Sequence, residues 1–349
     1  MPKTNSLFIN TLNGIESDQI PIWLMRQAGR YLSEYREVRK NTGTFLDLCY
    51  SPDQAAEVTL QPINRFGFDA AIIFSDILVV PDALGQQVSF KEGIGPVLTP
   101  IANSGDIKEL RFDGLRDFLE PVYSALKIVR AELPIDTALI GFAGAPWTIA
   151  TYMVEGGTSR EFAKTKTWAF SEPDQFSQLI EILISAITDH LIAQVEAGAD
   201  ALQIFDSWAG MLPDTAFEKW SLDPISRIVA GVKCKCPNVP IIVFPRLAGH
   251  RYLKVAAING VSAVSLDQTI SLNWVRETLQ PGTIVQGNLD PIFLLAGGDA
   301  MKAEAERILN ILSKKPFVFN LGHGVLPPTP PDHVADLREF VSSWLRDNR

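Results

Sequence analysis

The sequence predicts an α/β protein, a single-domain (β/α)8 barrel over residues 1–349, and three observations carry this prediction. Short apolar runs recur along the chain without polar–apolar alternation, as expected of strands that are covered on both faces. Segments with helical periodicity lie between most of these runs. Polar and ionisable residues follow the runs where each one stops. A doubly wound open sheet is the alternative that the same alternation permits.

The predicted strands and helices divide the chain into regular units without an obvious linker. The predicted strands are Ile20–Leu24, Phe68–Phe74, Ala138–Gly144, Ala201–Phe205, Ile241–Phe244, Ala263–Leu266, Thr283–Gln286 and Phe317–Asn320. The clearest predicted helices are Asp174–Ala197, Ala248–Asn259, Leu272–Leu279 and Ala300–Ser313. The longer intervals after the first two strands leave room for extra loops over one end of a barrel.

The residues that follow the predicted strands are typical of a functional site. They include Arg26 and Arg30 after the first strand, Asp76 after the second, Ser207 after the fourth and His323 after the last. In a barrel the carboxyl ends of all strands converge on one mouth, where active sites lie. The sequence therefore predicts an active site at the C-terminal strand ends, built from residues far apart in the chain.

Composition limits the classes of partner and the compartment. Of the 349 residues 46% are hydrophobic and 20% charged, and the net charge of −9 disfavours nucleic-acid binding. Three cysteines make no disulfide framework, so a reducing, cytoplasmic location is expected. We expect no signal peptide in the N-terminal MPKTNSLFIN and no membrane span, and we interpret Leu179–Val195 as a packed helix.

Several strand-end blocks resemble one family closely. The segments are Pro21–Tyr31 (PIWLMRQAGRY), Phe74–Ile77 (FSDI), Gly141–Met153 (GFAGAPWTIATYM), Phe205–Trp208 (FDSW) and Asn320–Gly324 (NLGHG). They resemble the signatures of the uroporphyrinogen decarboxylases, in the same order, and the resemblance runs from about residue 21 to the final helix.

The resemblance implies a fold, a reaction and a set of site residues. It implies a (β/α)8 barrel, a homodimer and no metal or organic cofactor. The implied reaction converts the four acetate side chains of uroporphyrinogen III, a tetrapyrrole, to methyl groups and gives coproporphyrinogen III. The residues that match substrate-binding positions are Arg26, Gln27, Ala28, Gly29, Arg30, Arg39, Asp76, Tyr152, Ser207 and His323. Of these, Asp76, Arg26, Arg30, Tyr152 and His323 are the expected catalytic residues.

The chemistry of these side chains suits a polycarboxylate substrate. Arg26 and Arg30 are four residues apart, and guanidinium groups hold carboxylates bidentately. Asp76 closes an apolar strand, where a carboxylate is costly unless it meets donors or positive charge. Pyrrole N–H groups supply those donors, and a cationic ring formed during decarboxylation supplies the charge. A generic sequence would favour a helix cap or a salt bridge for this aspartate.

The sequence leaves the roles of the other polar residues and the identity of the proton donor open. Tyr152 and Ser207 are expected to contact substrate, although a packed tyrosine and a helix-capping serine are the commoner fates of such residues. His323 lies between two glycines and could bind a carboxylate or carry a proton, whereas His190, His250 and His333 suit core or surface positions. Arg30, Tyr152, His323 and water are all candidate proton donors. Aromatic residues that could contact the macrocycle are Trp23, Phe74, Phe142, Trp147 and Phe205.

Three other classes of function were weighed. A zinc-dependent cobamide methyltransferase-like barrel would need a Cys and His ligand set, and none is expected to assemble. Cys234 and Cys236 precede the fifth predicted strand, on the side opposite the mouth, and Cys49 lies in an early loop. A flavin- or phosphate-binding barrel would need a glycine-rich loop late in the chain, of which Gly322–Gly324 is only a weak version. A non-catalytic binding module would not require Arg, Asp, Tyr and His together at strand ends.

Overall fold

Seven parallel strands in chain order form the central sheet of the computed structural model, which describes residues 6–344. Residues 1–5 and 345–349 of the predicted 1–349 domain lie outside the described residues. Residues 1–5 are the first half of MPKTNSLFIN, the segment in which we expect no signal peptide. The strands are β1 (Ala70–Ile72), β2 (Val88–Lys91), β3 (Gly95–Leu98), β4 (Ala138–Gly144), β5 (Ala201–Asp206), β6 (Ile241–Pro245), β7 (Ala263–Ser265), β8 (Ile284–Leu289) and β9 (Phe317–Leu321). The order in the sheet is β1-β4-β5-β6-β7-β8-β9, and β2 and β3 form a separate antiparallel hairpin.

The segment before β1 joins the two edges of this sheet. Ile22 forms a parallel bridge with Phe319 of β9, and the Phe319 N–H donates to the Pro21 carbonyl at 2.9 Å. On its other side, the Ile22 carbonyl accepts from the N–H of Asp69, the residue before β1, at 3.0 Å. The sheet therefore closes into a barrel. A doubly wound sheet is wrong because its strand order reverses at a switch point, and here the order never reverses.

Helices cover the outside of the barrel and connect its strands. In chain order they are α1 (Leu7–Leu12), α2 (Ser33–Asn41), α3 (Phe45–Cys49), α4 (Pro52–Phe66), α5 (Val79–Ala83), α6 (Ser104–Lys108), α7 (Leu115–Phe118), α8 (Glu120–Glu132) and α9 (Pro146–Glu155). They continue with α10 (Ala163–Ser171), α11 (Pro173–Glu196), α12 (Asp214–Phe217), α13 (Asp223–Lys235), α14 (Tyr252–Ala256), α15 (Leu272–Trp274), α16 (Pro291–Ala296), α17 (Gly298–Leu312) and α18 (Pro331–Ser343). Short 3₁₀ turns span Ala209–Met211 and Gly249–Arg251, and π-helical turns span Glu218–Leu222 and Val275–Leu279.

The predicted (β/α)8 barrel is confirmed, with two differences in detail. The first apolar run, predicted as the strand Ile20–Leu24, forms a single bridge at Ile22 because only that residue pairs regularly with β9. The predicted helix Ala248–Asn259 is shorter and begins with a 3₁₀ turn, since α14 covers only Tyr252–Ala256. The β2–β3 hairpin occupies the long interval after β1, where the sequence left room for an extra loop.

The long apolar helix α11 packs along the outside of the sheet. Its buried face includes Phe176, Leu183 and Ile187, as expected for a core helix of a barrel. By length and composition alone α11 would qualify as a membrane span, and 56% of its most apolar window is buried inside the protein.

A buried polar network crosses the barrel interior. The Trp23 Nε1–H donates to Gln286 Oε1 at 2.9 Å, and Gln286 Nε2 donates to Gln203 Oε1 and Ser265 Oγ, both at 3.0 Å. These side chains are fully buried, so the three hydrogen bonds replace contacts that water would otherwise make. The network ties the closing segment to β5, β7 and β8 below the mouth.

His190 of α11 is a core residue, one of the two placements expected for it. Its Nδ1 lies 3.0 Å from the hydroxyl oxygen of Tyr123 on α8. Burial lowers the pKa of His190 to about 4, because the imidazolium form would lose its hydration. His190 is therefore neutral in the folded protein at neutral pH.

The pH dependence of stability should report this burial. An unfolded histidine binds a proton below about pH 6.5, whereas folded His190 does so only near pH 4. The contribution of His190 is fully present above pH 6.5 and is lost as pH falls towards 4. Relative to His190→Gln, the wild-type free energy of unfolding should therefore fall by up to about 1.4 kcal/mol per pH unit in that window.

Urea unfolding at a series of pH values measures this difference. His250→Gln is the matched control, since His250 is exposed, and its curve should follow the wild type. Parallel pH dependence of the wild type and His190→Gln would contradict the assignment.

Candidate active site

A cavity of about 530 Å³ opens at the carboxyl ends of the barrel strands. The residues predicted for the site that line it are Arg26, Ala28, Gly29, Arg30, Asp76, Tyr152, Ser207 and His323. They come from the segment after the closing bridge, the ends of β1, β5 and β9, and helix α9. The barrel thus brings together eight of the ten residues proposed from the sequence, as the convergence of strand ends predicts.

Arg26 is held at the mouth in an uncommon backbone conformation. Its φ is 59°, in the left-handed region that costs a non-glycine residue about 1–3 kcal/mol. Neighbouring hydrogen bonds fix it there: the Met25 N–H donates to Asn320 Oδ1 at 3.0 Å, and the Val325 N–H donates to the Met25 carbonyl at 2.9 Å. The side chain of Arg26 lies so close to Gly324 that a Cβ at position 324 would collide with it. Strain that the structure maintains in this way is typical of functional sites.

The two mouth arginines lack acidic partners among the residues that the structure describes. Neither Arg26 nor Arg30 forms an ion pair with a carboxylate of residues 6–344. Both side chains are exposed, and both line the cavity. Unpaired guanidinium groups that share one cavity are suited to an anionic ligand.

Asp76 forms the negative centre of the cavity wall. Its Oδ1 accepts the Leu78 N–H at 2.9 Å, which fixes the carboxyl group just beyond β1. Loss of hydration in the enclosed cavity raises the pKa of Asp76 to about 6, against the opposing effects of the Leu78 N–H and the charge of Arg26. At neutral pH the group is mostly ionised but poorly compensated. It would gain from added N–H donors or positive charge.

His323 lines the cavity as a neutral imidazole. Burial is the main reason that its pKa is lowered, to about 3, and the charges of Arg26 and Arg246 act in the same direction. The sequence did not decide whether His323 is cationic or neutral. Its lowered pKa favours a neutral group that forms hydrogen bonds. A bound polycarboxylate would raise this pKa by adding negative charge between the arginines.

Tyr152 and Ser207 complete the polar lining. Burial raises the pKa of the Tyr152 phenol, and the negative charge of Asp76 adds to that effect, so the hydroxyl keeps its proton at neutral pH. Tyr152 is on α9, the helix that follows β4, and its ring lies 6.3 Å from that of Trp208. Ser207 follows β5 directly and lines the same cavity.

Two of the residues proposed from the sequence lie elsewhere. The Gln27 side chain is fully buried beneath the mouth, where it accepts the Leu24 N–H and donates to the Ala70 carbonyl. Arg39 donates to the carbonyls of Thr42 and Gly43, beyond the C-terminus of α2, at 3.2 and 2.9 Å. Neither residue is part of the cavity lining. Gln27 supports the loop that carries Arg26.

Aromatic side chains form much of the apolar wall, and several of them were not foreseen. Phe74, Phe142 and Phe205 line the cavity, whereas Trp23 and Trp147 are fully buried outside it. Additional lining aromatics are Tyr35 of α2, Phe45 of α3 and Phe90 of the β2–β3 hairpin. The Phe45 ring lies 5.8 Å from that of Phe74 and 4.6 Å from that of Phe90. These three residues lie outside the barrel strands, so the strand-end argument could not find them.

Other acidic residues at strand ends have structural partners. Asp206 accepts hydrogen bonds from Thr148 Oγ1 at 2.6 Å and from Ser221 Oγ at 2.5 Å. Asp267 accepts from the Leu247 N–H and the Tyr252 hydroxyl, both at 2.8 Å. Across residues 6–344, no group of three or more His, Cys, Asp or Glu side chains is placed to hold a metal ion.

The fold and the cavity define a (β/α)8-barrel enzyme whose site suits an anionic, largely apolar ligand. The chain belongs to the uroporphyrinogen decarboxylase family, whose model matches residues 3–344. It is similar to the uroporphyrinogen decarboxylase of Rhodospirillum rubrum, with 52% identity over 97% of each chain. It is also 51% identical to that of a Chelativorans species, over 95% of this chain and 97% of that one. The chain is thus a carboxy-lyase of this family.

Solved structures of low sequence identity share the fold. A methyltransferase from Methanosarcina mazei superimposes with a TM-score of 0.79 at 21% identity, over 96% of each chain. A putative vitamin-B12-independent methionine synthase from Listeria monocytogenes gives a TM-score of 0.55 at 13% identity, over 93% of this chain and 95% of that one. At these identities the likeness concerns the barrel alone, and the cobamide methyltransferase alternative gains no support beyond fold.

Gly324→Ala should impair substrate binding more than stability. The new Cβ would displace the Arg26 side chain from its place at the mouth. Because hydrogen bonds to charged groups contribute about 1.5–3 kcal/mol, we expect KM for uroporphyrinogen to rise roughly tenfold or more. Anaerobic steady-state kinetics measure this change.

Gly282→Ala is the matched control, since a Cβ at position 282 meets nothing closer than the Leu279 carbonyl at 3.9 Å. Its kinetics should equal those of the wild type. An unchanged KM in Gly324→Ala would show that the position of Arg26 does not matter for binding.

Proposed function

We propose that this cavity converts the four acetate arms of uroporphyrinogen III to methyl groups, giving coproporphyrinogen III, with Asp76, Arg26, Arg30, Tyr152 and His323 as its catalytic residues. The observation that supports the proposal most is the carboxyl group of Asp76 in a cavity whose guanidinium groups, Arg26 and Arg30, have no acidic partner within residues 6–344. Family membership supports the same substrate.

In this proposal, the substrate is held by opposite charges at two places. Carboxylate arms lie against Arg26 and Arg30, with Ser207, Tyr152 and neutral His323 as additional hydrogen-bonding groups. The four pyrrole N–H groups of a porphyrinogen point towards a common centre, and Asp76 accepts from several of them. Aromatic side chains such as Phe74 and Phe205 pack against the macrocycle. The small residues Ala28 and Gly29 let the substrate approach the backbone closely. Gln27 and Arg39 would contact the substrate only if their side chains moved.

The proposed chemistry uses the substrate itself as the electron sink. Protonation of the pyrrole ring that bears an acetate arm gives a cationic ring. The bond between the arm's methylene carbon and its carboxylate then breaks, carbon dioxide leaves, and the electron pair neutralises the ring. Protonation of the methylene carbon and loss of the proton added to the ring give the methyl group. Fixed negative charge at Asp76 stabilises the cation as it forms, which is electrostatic preorganisation.

The protonation states of the cavity support distinct roles for the polar residues. A neutral His323 orients a carboxylate by hydrogen bonding. The Tyr152 hydroxyl stays protonated and donates to a carboxylate of the substrate. Arg30, Tyr152, His323 after substrate binding, and water are the candidate sources of the proton.

No added cofactor is part of the proposal, because a protonated pyrrole supplies the electron-accepting function that cofactors supply to other decarboxylases. The test is anaerobic incubation of chelator-treated protein with uroporphyrinogen, with loss of carboxyl groups followed by mass spectrometry. We expect full conversion. A requirement for added metal or coenzyme would refute this part of the proposal.

Asp76→Asn should abolish most turnover. The amide has nearly the same shape but cannot stabilise a cationic ring, and preorganised groups of this kind contribute roughly 10²–10³-fold to kcat. Because the pKa of Asp76 is about 6, kcat/KM of the wild type should fall as pH drops through that value and the carboxylate gains a proton.

Asp299→Asn is the matched control, since Asp299 is exposed in the first turn of α17. It should keep wild-type kinetics. Retained turnover in Asp76→Asn would remove the mechanistic role of Asp76 and leave the substrate assignment intact.

We further propose a homodimer in a reducing, cytoplasmic compartment. The family resemblance supports the dimer, and the three cysteines, all free, support the compartment. Light scattering should give a mass of about twice the 38.5 kDa of one chain. A mass that stays at one chain under assay conditions would rule the dimer out.

A further inference from the structure

We infer that Arg246, at the end of β6, is an additional cationic group of the mouth and binds a carboxylate arm of the substrate beside His323. This inference rests on the proposed function, because it assigns a place to one of the arms that Arg26 and Arg30 leave uncontacted. Arg246 does not belong to the set of residues proposed from the sequence resemblance.

Strand geometry directs Arg246 towards the mouth. The Phe244 ring lies 6.1 Å from that of Phe205 and 6.5 Å from that of His323, so Phe244 faces the barrel interior. Side chains two residues apart on a strand share a face. The backbone at Arg246 continues the parallel ladder, since its N–H donates to the Asp206 carbonyl at 3.1 Å. Arg246 therefore lies on the same face of the sheet as Phe244, whose ring neighbours two residues of the cavity lining, Phe205 and His323.

The charge of Arg246 has no acidic partner in the described part of the chain. It forms no ion pair with a carboxylate of residues 6–344. Its Nε is buried and has no hydrogen-bond partner. The acids on neighbouring strands are already occupied, Asp206 by Thr148 and Ser221, and Asp267 by Tyr252 and backbone groups.

A half-buried guanidinium with an unsatisfied N–H is costly unless a ligand satisfies it. Burial is the main reason that the pKa of His323 is lowered, and the charges of Arg26 and Arg246 are both close enough to add to that effect. A carboxylate beside His323 would contact the imidazole and the Arg246 guanidinium together. The mouth would then present cations on two sides, Arg26 and Arg30 on one and Arg246 on the β6 side.

The experiment compares Arg246→Gln, Arg246→Lys and Arg227→Gln in two measurements. Arg227 is the matched control because it is a surface arginine of α13, paired with Glu181 and remote from the mouth. In anaerobic kinetics with uroporphyrinogen, we expect KM to rise roughly tenfold in Arg246→Gln with a smaller change in kcat, since truncating one charged contact has about this effect. Arg246→Lys should recover most of the loss, and Arg227→Gln should equal the wild type.

The second measurement does not depend on turnover. Proton NMR titration of His323, assigned with His323→Gln, should show a higher imidazole pKa in Arg246→Gln than in the wild type, because a neighbouring positive charge has been removed. Arg227→Gln should leave that titration unchanged. Arg246→Met serves in both measurements if Arg246→Gln does not fold.

The outcomes separate this inference from the proposed function. Wild-type protein that fails to convert uroporphyrinogen refutes the proposed function. Normal conversion by the wild type, with the same KM in Arg246→Gln, overturns the role of Arg246 alone. An unchanged His323 titration in the neutral variants overturns it as well, because Arg246 would then not face the imidazole.

Discussion

The closure of the barrel between its first and last segments is the interaction on which the site depends. Residues 21–25 pair with β9 and with the segment that follows it, through Ile22, Met25 and Val325. The same contacts that seal the sheet place Arg26 against Gly324 and next to His323. The contacts of residues 21–25 therefore both close the barrel and position residues of the cavity.

The electrostatic character of the mouth is that of a site completed by its ligand. Guanidinium groups without acidic partners, a carboxyl group whose pKa is raised by burial and an imidazole held neutral all describe interactions that the protein alone leaves unmade. In the proposed function, an anionic macrocycle with inward N–H donors would supply these partners. This arrangement also explains how a chain with a net charge of −9 can attract an anion, since its basic groups are concentrated where they act.

The sequence predicted the architecture well because the physics of strand ends is regular. Apolar runs located all seven barrel strands, and the residues that followed them located Asp76, Ser207 and His323 at one mouth. The first run was harder to define, because its hydrogen bonds go to two different edges and amount to one bridge.

Site residues outside the strands were less accessible to sequence reasoning. Tyr35, Phe45 and Phe90 reach the cavity only through the tertiary packing of helices and a hairpin. Gln27 matched a family signature, yet its amide turns inward to satisfy backbone groups, a choice that depends on burial and cannot be read from spacing. Arg246 lies two residues after the predicted strand Ile241–Phe244, but only the structure shows that its charge has no acidic partner within residues 6–344.

The pairing of residues 21–25 with β9, nearly 300 residues later in the chain, has a consequence for biosynthesis. A ribosome that has translated the first 300 residues has produced Arg26, Asp76, Tyr152 and Ser207, but β9 and His323 are still to come. Until they emerge, residues 21–25 lack the strand beside which they settle. A product that stops before residue 317 would carry the first six strands of the sheet but would lack the strand beside which Arg26 is held.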